Sequence, residues 1–289
     1  MNIKEVSKMF FQKGSIQFDM ITAIPMFILW GLLMTVFTIL LVKDKVSTKG
    51  SIVLYLISIV VGGLILGGFP NAVMPIQVIL ATIAAGNPIV SIIPMIIILS
   101  LLLLTSLFVG RIFCGYACPV GALQELISKL QFKSNVKKQK NVKYIIDLPY
   151  NVARIIRWAF FILVSILAIV WSFALLQLIN PFLGFSFFTN PLAITLIIPL
   201  VVFAIIALLS IFVYRPWCRL FCPFGVLSSV ISRASLFKLQ RTEACTECGL
   251  CETICPTNEA SENSSKAECY YCYRCIEVCP ENAIQFKNK

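Results

Sequence analysis

The twelve cysteines of this 289-residue chain fall into two kinds of repeated run. Two runs near the C-terminus, CTECGLCETICP and CYYCYRCIEVCP, space their cysteines as C-x2-C-x2-C-x3-C-P. Two earlier runs, RIFCGYACPVG from Arg111 and RPWCRLFCPFG from Arg215, share the skeleton R-x2-C-x3-C-P-x-G. Thiolates are good ligands for soft metals, and such regular spacing in a reducing compartment favours metal or redox chemistry over structural disulfides.

The C-terminal spacing is the one that holds [4Fe–4S] clusters. Three cysteines reach three corners of one cubane, and the fourth, before the proline, reaches the other cluster. The predicted ligands of cluster 1 are Cys245, Cys248, Cys251 and Cys279. The predicted ligands of cluster 2 are Cys269, Cys272, Cys275 and Cys255. Zinc usually takes a different spacing. We expect the tyrosines of the second run to pack around cluster 2 (Tyr270, Tyr271, Tyr273), and a small core of Ile254, Ile276, Val278, Ile284 and Phe286.

Four cysteines remain, and they are those of the two earlier runs: Cys114, Cys118, Cys218 and Cys222. One interpretation is a third [4Fe–4S] cluster held by two cysteines from each run. A thiol switch or redox disulfide is a second, and buried thiols that pack as small apolar side chains are a third. The repetition and the Cys-Pro pair, which matches the last cysteine of each C-terminal run, favour the third cluster.

The chain contains no histidine. This excludes His-ligated haem, His-ligated zinc, Rieske centres and His-based acid–base catalysis, so we expect no haem. Arg111, Arg215 and Arg219 lie beside the earlier cysteine runs. They either offset the negative charge of a thiolate-ligated cluster or anchor the helix ends at lipid headgroups.

The composition is that of a membrane protein: 59% of the residues are hydrophobic, 13% are charged, and the mean hydropathy is +0.91. Soluble domains average about 25% charged residues. Residues 51–110 and 158–214 contain no Asp, Glu, Lys or Arg, and each stretch has room for two spanning helices. We therefore predict a mainly α, polytopic transmembrane bundle of about five spans. These lie near residues 21–42, 51–69, 91–110, 156–177 and 191–213.

The charges predict how these spans are oriented. The net charge is +11, yet the segment after Thr242 has eight Glu and only four Lys or Arg. Nine Lys or Arg lie in the segment from Arg111 to Arg157, both ends included, which by the positive-inside rule places that loop in the cytoplasm. Because the positive charge flanks spans, we do not expect nucleic-acid binding. Both earlier cysteine runs and the C-terminal domain are then cytoplasmic and the N-terminus is outside, although Lys4, Lys8 and Lys13 argue against the latter.

The chain divides into five predicted segments, and the second and fourth are copies of one hairpin unit. They are an N-terminal arm with the first span (1–50), a first hairpin (51–131), a basic cytoplasmic loop (132–155), a second hairpin (156–241) and a cytoplasmic 2[4Fe–4S] domain (242–289). After each Cys-Pro we expect an amphipathic helix along the membrane surface, with Glu125 and Lys129 paired on its polar side. The Lys-rich stretch 132–143 suits lipid headgroups or an acidic partner.

The quoted runs resemble those of the NapH/NosR-type polyferredoxin-like membrane iron–sulfur proteins, over residues 51–289. That resemblance implies electron transfer with a quinone or a partner redox subunit. The chain departs from the group in its additional first span and in lacking the large extracytoplasmic flavin domain of NosR-type members. The polar residues available to a quinone in the apolar outer regions are Asn71, Gln77, Asn87, Gln177 and Asn180.

We therefore predict an electron-transfer subunit of a membrane oxidoreductase complex rather than a stand-alone enzyme. It passes electrons between a cytoplasmic partner, such as a soluble ferredoxin or another redox subunit, and a quinone pool or a membrane redox subunit. One alternative is an accessory protein that supplies electrons for maturation or activation of another metalloenzyme. Another is a redox sensor or structural anchor.

Overall fold

The computed structural model describes residues 20–42, 48–86, 88–133, 148–171, 175–189 and 196–288. The N-terminal arm up to residue 19, the turn at 43–47, Asn87 and residues 134–147 of the predicted basic loop lie outside the described residues. In chain order the first helices are α1 (Met20–Val42), α2 (Thr48–Ile57, extended by a π-helix over Ser58–Ile65), α3 (Met74–Ala84), α4 (Ile93–Val109) and α5 (Pro119–Lys133). They are followed by α6 (Tyr150–Trp171), α7 (Leu175–Ile179), α8 (Phe182–Thr189), α9 (Ile197–Phe212) and α10 (Pro223–Ile231).

Each of the five predicted spans coincides with a helix: α1, α2, α4, α6 and α9. By length and composition, one helix of the described chain could cross a membrane, Tyr150–Val170 within α6. The other apolar stretches that meet the same description are shorter, at 10–17 residues: Ile28–Leu40 within α1, Gly50–Ile65, Met74–Ala84, Ile93–Val109 and Ile197–Phe212. The protein is thus mostly helical, as the sequence predicts, whereas the five-span bundle remains a prediction.

The C-terminal unit is built on a two-stranded antiparallel sheet, β1 (Phe237–Arg241) and β2 (Ile284–Asn288), with two one-turn helices between the strands. The helices are α11 (Leu250–Ile254) and α12 (Arg274–Val278). Leu239 pairs with Phe286 in the ladder and both side chains are buried. The predicted domain boundary at 242 separates β1 from the strand it pairs with, so we extend the C-terminal unit to Phe237.

The C-terminal unit packs directly on the helices, unlike the separate domain expected from the sequence. Leu236 N donates to Leu107 O at the end of α4 (3.0 Å), and Tyr116 Oη donates to Tyr271 O (3.0 Å). A unit of this size has little core of its own. Packing against the helices buries tyrosines that it could not bury alone.

The expectation that Glu125 and Lys129 pair on an outer, polar side of α5 is wrong, whereas its position along a membrane surface stays a prediction. Glu125 is fully buried, and Lys129 Nζ donates to Ser51 Oγ (2.6 Å) near the start of α2. A Cβ built on Gly62, further along the same helix, would lie 3.7 Å from Pro119. Helix α5 therefore runs alongside α2. Its polar residues face buried ionic partners, because tertiary contacts override the local amphipathic pattern.

Candidate metal centres

The structure places each predicted C-terminal set of cysteines around one cavity. A cavity of about 350 Å³ is lined by all four residues assigned to cluster 2, including Cys255 from the other run. A smaller cavity is lined by all four residues assigned to cluster 1, including Cys279 from the other run. The fourth cysteine of each run therefore lies beside the first three cysteines of the other run.

Local backbone geometry explains this crossing. Each one-turn helix starts after a left-handed residue, Gly249 (φ 73°) before α11 and Tyr273 (φ 65°) before α12. Each helix ends at an extended cysteine, Cys255 (φ −76°, ψ 113°) or Cys279 (φ −76°, ψ 112°). A residue before proline is pushed out of the helical region, so the Cys-Pro pair turns the thiol away from its own run.

The earlier cysteine runs reproduce this geometry. A single-turn π-helix, Phe113–Ala117 or Trp217–Phe221, leads into an extended cysteine. Cys118 has φ −78° and ψ 117°, and Cys222 has φ −73° and ψ 114°. Both thiols accept a hydrogen bond from the backbone N–H three residues on, at 3.4 Å, much as Cys255 and Cys279 accept one from four residues on. All four Cys-Pro pairs thus present a thiol stabilised by a backbone N–H.

The four cysteines of the earlier runs are all buried, and Cys118 is near enough to the other three to interact with them electrostatically. Burial raises the pKa of Cys118, and the neighbouring Cys218, Cys114 and Cys222 thiols raise it further. Burial also raises the pKa of Cys218 to about 11, although Arg215 opposes this. The metal-free thiols of Cys118 and Cys218 are therefore protonated at neutral pH, and metal binding to them would release protons.

Two fully buried arginines join the two runs reciprocally. Arg215 of the second run donates to Cys114 O (2.8 Å) and Gly115 O (3.4 Å) of the first. Arg111 of the first run donates to Gly225 O (3.1 Å) of the second. Each arginine thus fixes the backbone around the cysteines of the other copy. This role is more specific than the headgroup anchor or the general charge effect considered from the sequence. Arg219 instead donates to Leu148 O (3.0 Å).

Arg111 and Arg215 each belong to a buried Arg–Glu–Arg triad that includes a residue of the C-terminal unit. Glu268 accepts hydrogen bonds from Arg111 and Arg157. Glu125 accepts one from Arg215 Nε (2.7 Å) and forms an ion pair with Arg274 (2.7 Å). Burial alone would raise the pKa of Glu125, but Arg274 and Arg215 lower it to about 2.

The triads leave an excess of buried positive charge beside the four cysteines. Each contains two guanidinium groups and one carboxylate, so together they have two uncompensated positive charges. An oxidised [4Fe–4S] core with four thiolate ligands has two negative charges, which such a site would balance. Four neutral thiols would leave buried charge unpaired, which is costly. The donor set and its charge therefore fit a cluster.

The two triads differ in the origin of their carboxylate. One comes from helix α5 and the other from the C-terminal unit, and the second holds that unit against the helices. The position in α10 equivalent to Glu125 in α5 is Ser229, whose hydroxyl accepts from Arg157 (3.3 Å). Glu268 of the C-terminal unit supplies the carboxylate that the second copy lacks. The Tyr270 ring lies between the guanidinium groups of Arg111 (4.6 Å) and Arg215 (4.4 Å).

Sequence reasoning missed Glu268, Arg157 and Arg274, because their partners are distant in the chain. Tyr270 and Tyr273 line the cluster 2 cavity as expected, whereas Tyr271 packs on Phe286 (5.4 Å between ring centroids). Two of the residues considered for quinone contact instead accept hydrogen bonds from the backbone N–H groups at the start of a helix. Asn71 Oδ1 accepts from Val73 N and Met74 N (3.1 Å each), and Asn180 Oδ1 accepts from Phe182 N (3.1 Å).

In the described part of the chain, no group of three or more Cys, Asp or Glu side chains converges on a single metal-ion position. A cubane has a different requirement, because each cysteine binds a separate iron atom at its own corner. The two C-terminal cysteine sets accordingly surround a cavity rather than a single ion position.

The glycine after each Cys-Pro lets the run fold back closely on its own first cysteine, and this can be tested by a matched pair of substitutions. In Gly121→Ala the new Cβ would overlap Cys114 O, whereas in Gly225→Ala it would lie 3.0 Å from Cys218 O. We expect Gly121→Ala to lower stability by about 1–3 kcal/mol and Gly225→Ala by less. Thermal unfolding of both purified variants measures this order, and equal melting temperatures would contradict it.

Comparison with known proteins connects these sites to a family. A family described as "4Fe-4S binding domain" matches residues 91–137 and 195–242, each match containing one of the earlier cysteine runs. A second family with the same description matches residues 265–285. No solved structure matches.

Three relatives illustrate the resemblance. An uncharacterized protein of Methanocaldococcus jannaschii is 31% identical over 189 residues, which cover 65% of this chain and 76% of that protein. Escherichia coli YccM, whose name describes an electron transport protein, is 31% identical over 61% of this chain and 50% of its own length. The ferredoxin-type protein NapH of Haemophilus influenzae is 23% identical over 62% of this chain, which spans 63% of NapH.

The matched regions contain both earlier cysteine runs and the second C-terminal run, in a chain that is mostly helical. The chain belongs to the NapH/NosR-like family of ferredoxin-type electron transport proteins with 4Fe-4S binding domains.

Proposed function

We propose that this protein is a membrane-bound electron-transfer subunit with three [4Fe–4S] clusters. It connects a soluble redox partner at the C-terminal unit with a quinone or a redox subunit in the membrane. Cluster 1 is held by Cys245, Cys248, Cys251 and Cys279. Cluster 2 is held by Cys269, Cys272, Cys275 and Cys255. Cluster 3 is held by Cys114, Cys118, Cys218 and Cys222. When bound, such clusters accept and release single electrons.

The observation that carries this proposal is the contact between the cluster 2 and cluster 3 cysteine sets. Gly115, next to Cys114, packs against the backbone carbonyl of Tyr270, next to Cys269, so closely that a Cβ at position 115 would overlap it. The residues next to Cys114 and Cys269 are thus in direct contact. The cluster 1 cavity in turn shares the lining residues Arg241 and Ile284 with the cluster 2 cavity. Cys248 of the cluster 1 set is exposed. This order favours a continuous path from the cysteines between the helices to the surface.

Exposed apolar side chains on the helices support the membrane location. Leu32 on α1 is 61% exposed, Ile97 on α4 60% and Leu208 on α9 61%. Many other large aliphatic side chains on these helices are also exposed. Contiguous exposed apolar surface of this kind marks an interaction surface, and here lipid is the simplest match. The basic loops then favour a cytoplasmic position for the C-terminal unit.

The proposal is tested by electron exchange at the two ends of the path. The full chain, purified without oxygen and placed in lipid nanodiscs, is mixed either with a reduced soluble ferredoxin or with a short-chain quinol, and bleaching of the cluster absorbance is followed. We expect reduction by the ferredoxin, and loss of that reduction in Cys248→Ser. Reduction by quinol should survive that substitution, because it enters at the other end. Failure of both donors to reduce wild-type protein would contradict the proposal.

A further inference from the structure

A single arginine lies between the two cavities of the C-terminal unit. Arg241 ends β1 and is the ladder partner of Ile284, the first residue of β2. Arg241 and Ile284 are the residues that line both cavities, the one bounded by the cluster 1 cysteines and the one bounded by the cluster 2 cysteines. Arg241 is thus the one charged side chain shared by the two linings.

The Arg241 guanidinium contacts a cysteine of the cluster 1 set. Its Nη2 atom donates to Cys251 Sγ (3.6 Å) and pairs with Glu252. The same atom also donates to Ala260 O (3.0 Å), in the lining of the cluster 2 cavity. The Nε of Arg241 is buried and has no hydrogen-bond partner among the described residues. Donors and positive charge near the sulfurs favour the more negative, reduced form of an iron–sulfur cluster and so raise its reduction potential.

A second arginine, Arg274, lines the cluster 2 cavity, and its carboxylate partner Glu125 is shared with Arg215. Arg274 pairs with Glu125, which is fully buried, whereas Glu252, the partner of Arg241, is 48% exposed. Water weakens the effect of an exposed carboxylate far more than that of a buried one. The net positive potential of the Arg241 guanidinium therefore falls mainly on the cluster 1 cysteines.

We propose that Arg241 is a positioning residue that raises the reduction potential of cluster 1 relative to that of cluster 2. The inference rests on the function proposed above, since it concerns electron passage between the two C-terminal clusters. Arg241 would thereby set which of the two holds an electron when the protein is partly reduced. It neither binds iron nor exchanges a proton.

The test is a redox titration of the full chain followed by EPR, with three variants. In Arg241→Gln we expect the ratio of reduced to oxidised cluster 1 at a fixed potential to fall about tenfold, equivalent to about 59 mV for a one-electron couple. Cluster 2 should shift less. Arg241→Lys, which keeps the charge, should restore most of the difference. Lys287→Gln on β2 removes an equal, exposed charge and should change neither cluster.

An unchanged cluster 1 potential in Arg241→Gln, or an equal shift of both clusters, would overturn the inference while leaving the proposed function intact. Absence of the clusters from wild-type protein would instead overturn the proposed function. If Arg241→Gln does not retain cluster 1, Glu252→Gln provides a second test, because removal of this carboxylate should shift the reduction potential of cluster 1 in the opposite direction. It should raise the potential of cluster 1 more than Glu247→Gln, an exposed carboxylate lining the same cavity, and equal shifts would overturn the inference.

Discussion

Cys114→Ser is expected to remove one complete cluster, lowering the iron content of the purified protein from about twelve atoms per chain to about eight. Serine replaces the thiolate ligand with a weakly acidic hydroxyl. The remaining three buried cysteines would have to hold the cluster alone. The EPR signal of cluster 3 should disappear while those of clusters 1 and 2 remain. Iron and sulfide analysis with EPR measures both quantities.

Cys248→Ser is the matched comparison, because it makes the same exchange in the C-terminal unit. It should remove the signal of cluster 1 and leave that of cluster 3. Unchanged iron content and spectrum in Cys114→Ser would show that the earlier cysteines are structural thiols. A spectrum that is unchanged, together with thiols that become reactive only after reduction, would favour a redox disulfide instead. Either result would overturn the third cluster.

Glu268→Gln is expected to loosen the C-terminal unit from the helices. The substitution leaves the Arg111 and Arg157 guanidinium groups buried without their shared carboxylate. Removing one partner of a buried ion pair costs about 3–5 kcal/mol. Hydrogen exchange of peptides from the C-terminal unit should become faster, and reduction of cluster 3 by a soluble donor should slow while all three clusters are retained.

Two further variants identify the cause of that effect. Glu262→Gln removes an exposed carboxylate of the same unit and should behave as wild type. Glu125→Gln breaks the other triad at a position that, unlike Glu268, is not adjacent to a cysteine in the sequence, so it should reproduce the loosening if the triads are responsible. Unchanged hydrogen exchange in both Glu268→Gln and Glu125→Gln would contradict a docking role for the triads.

Features encoded in short stretches of sequence could be predicted. The five apolar segments are helices, and each predicted C-terminal cysteine set surrounds one cavity, since both depend on local spacing and on the conformation before proline. Iron binding at those cavities remains a prediction. The similarity of Cys118 and Cys222 to Cys255 and Cys279 was visible in the repeated Cys-Pro pair.

Docking of the C-terminal unit could not be predicted. Arg111 and Glu268 are 157 positions apart, and no local pattern connects them. Glu125 illustrates the same difficulty, because its spacing from Lys129 suggested a surface pair. Its actual partners, Arg215 and Arg274, come from a later hairpin and from the C-terminal unit. The one clue was the serine at position 229, where an exact repeat would have a second glutamate.

The proposed function requires all twelve cysteines to act as cluster ligands. Iron and acid-labile sulfide, measured per chain on wild-type protein purified without oxygen, test this most directly. Three [4Fe–4S] clusters require about twelve of each, and this is the expected result. About eight of each would limit the clusters to the C-terminal unit and would contradict the continuous path into the helices.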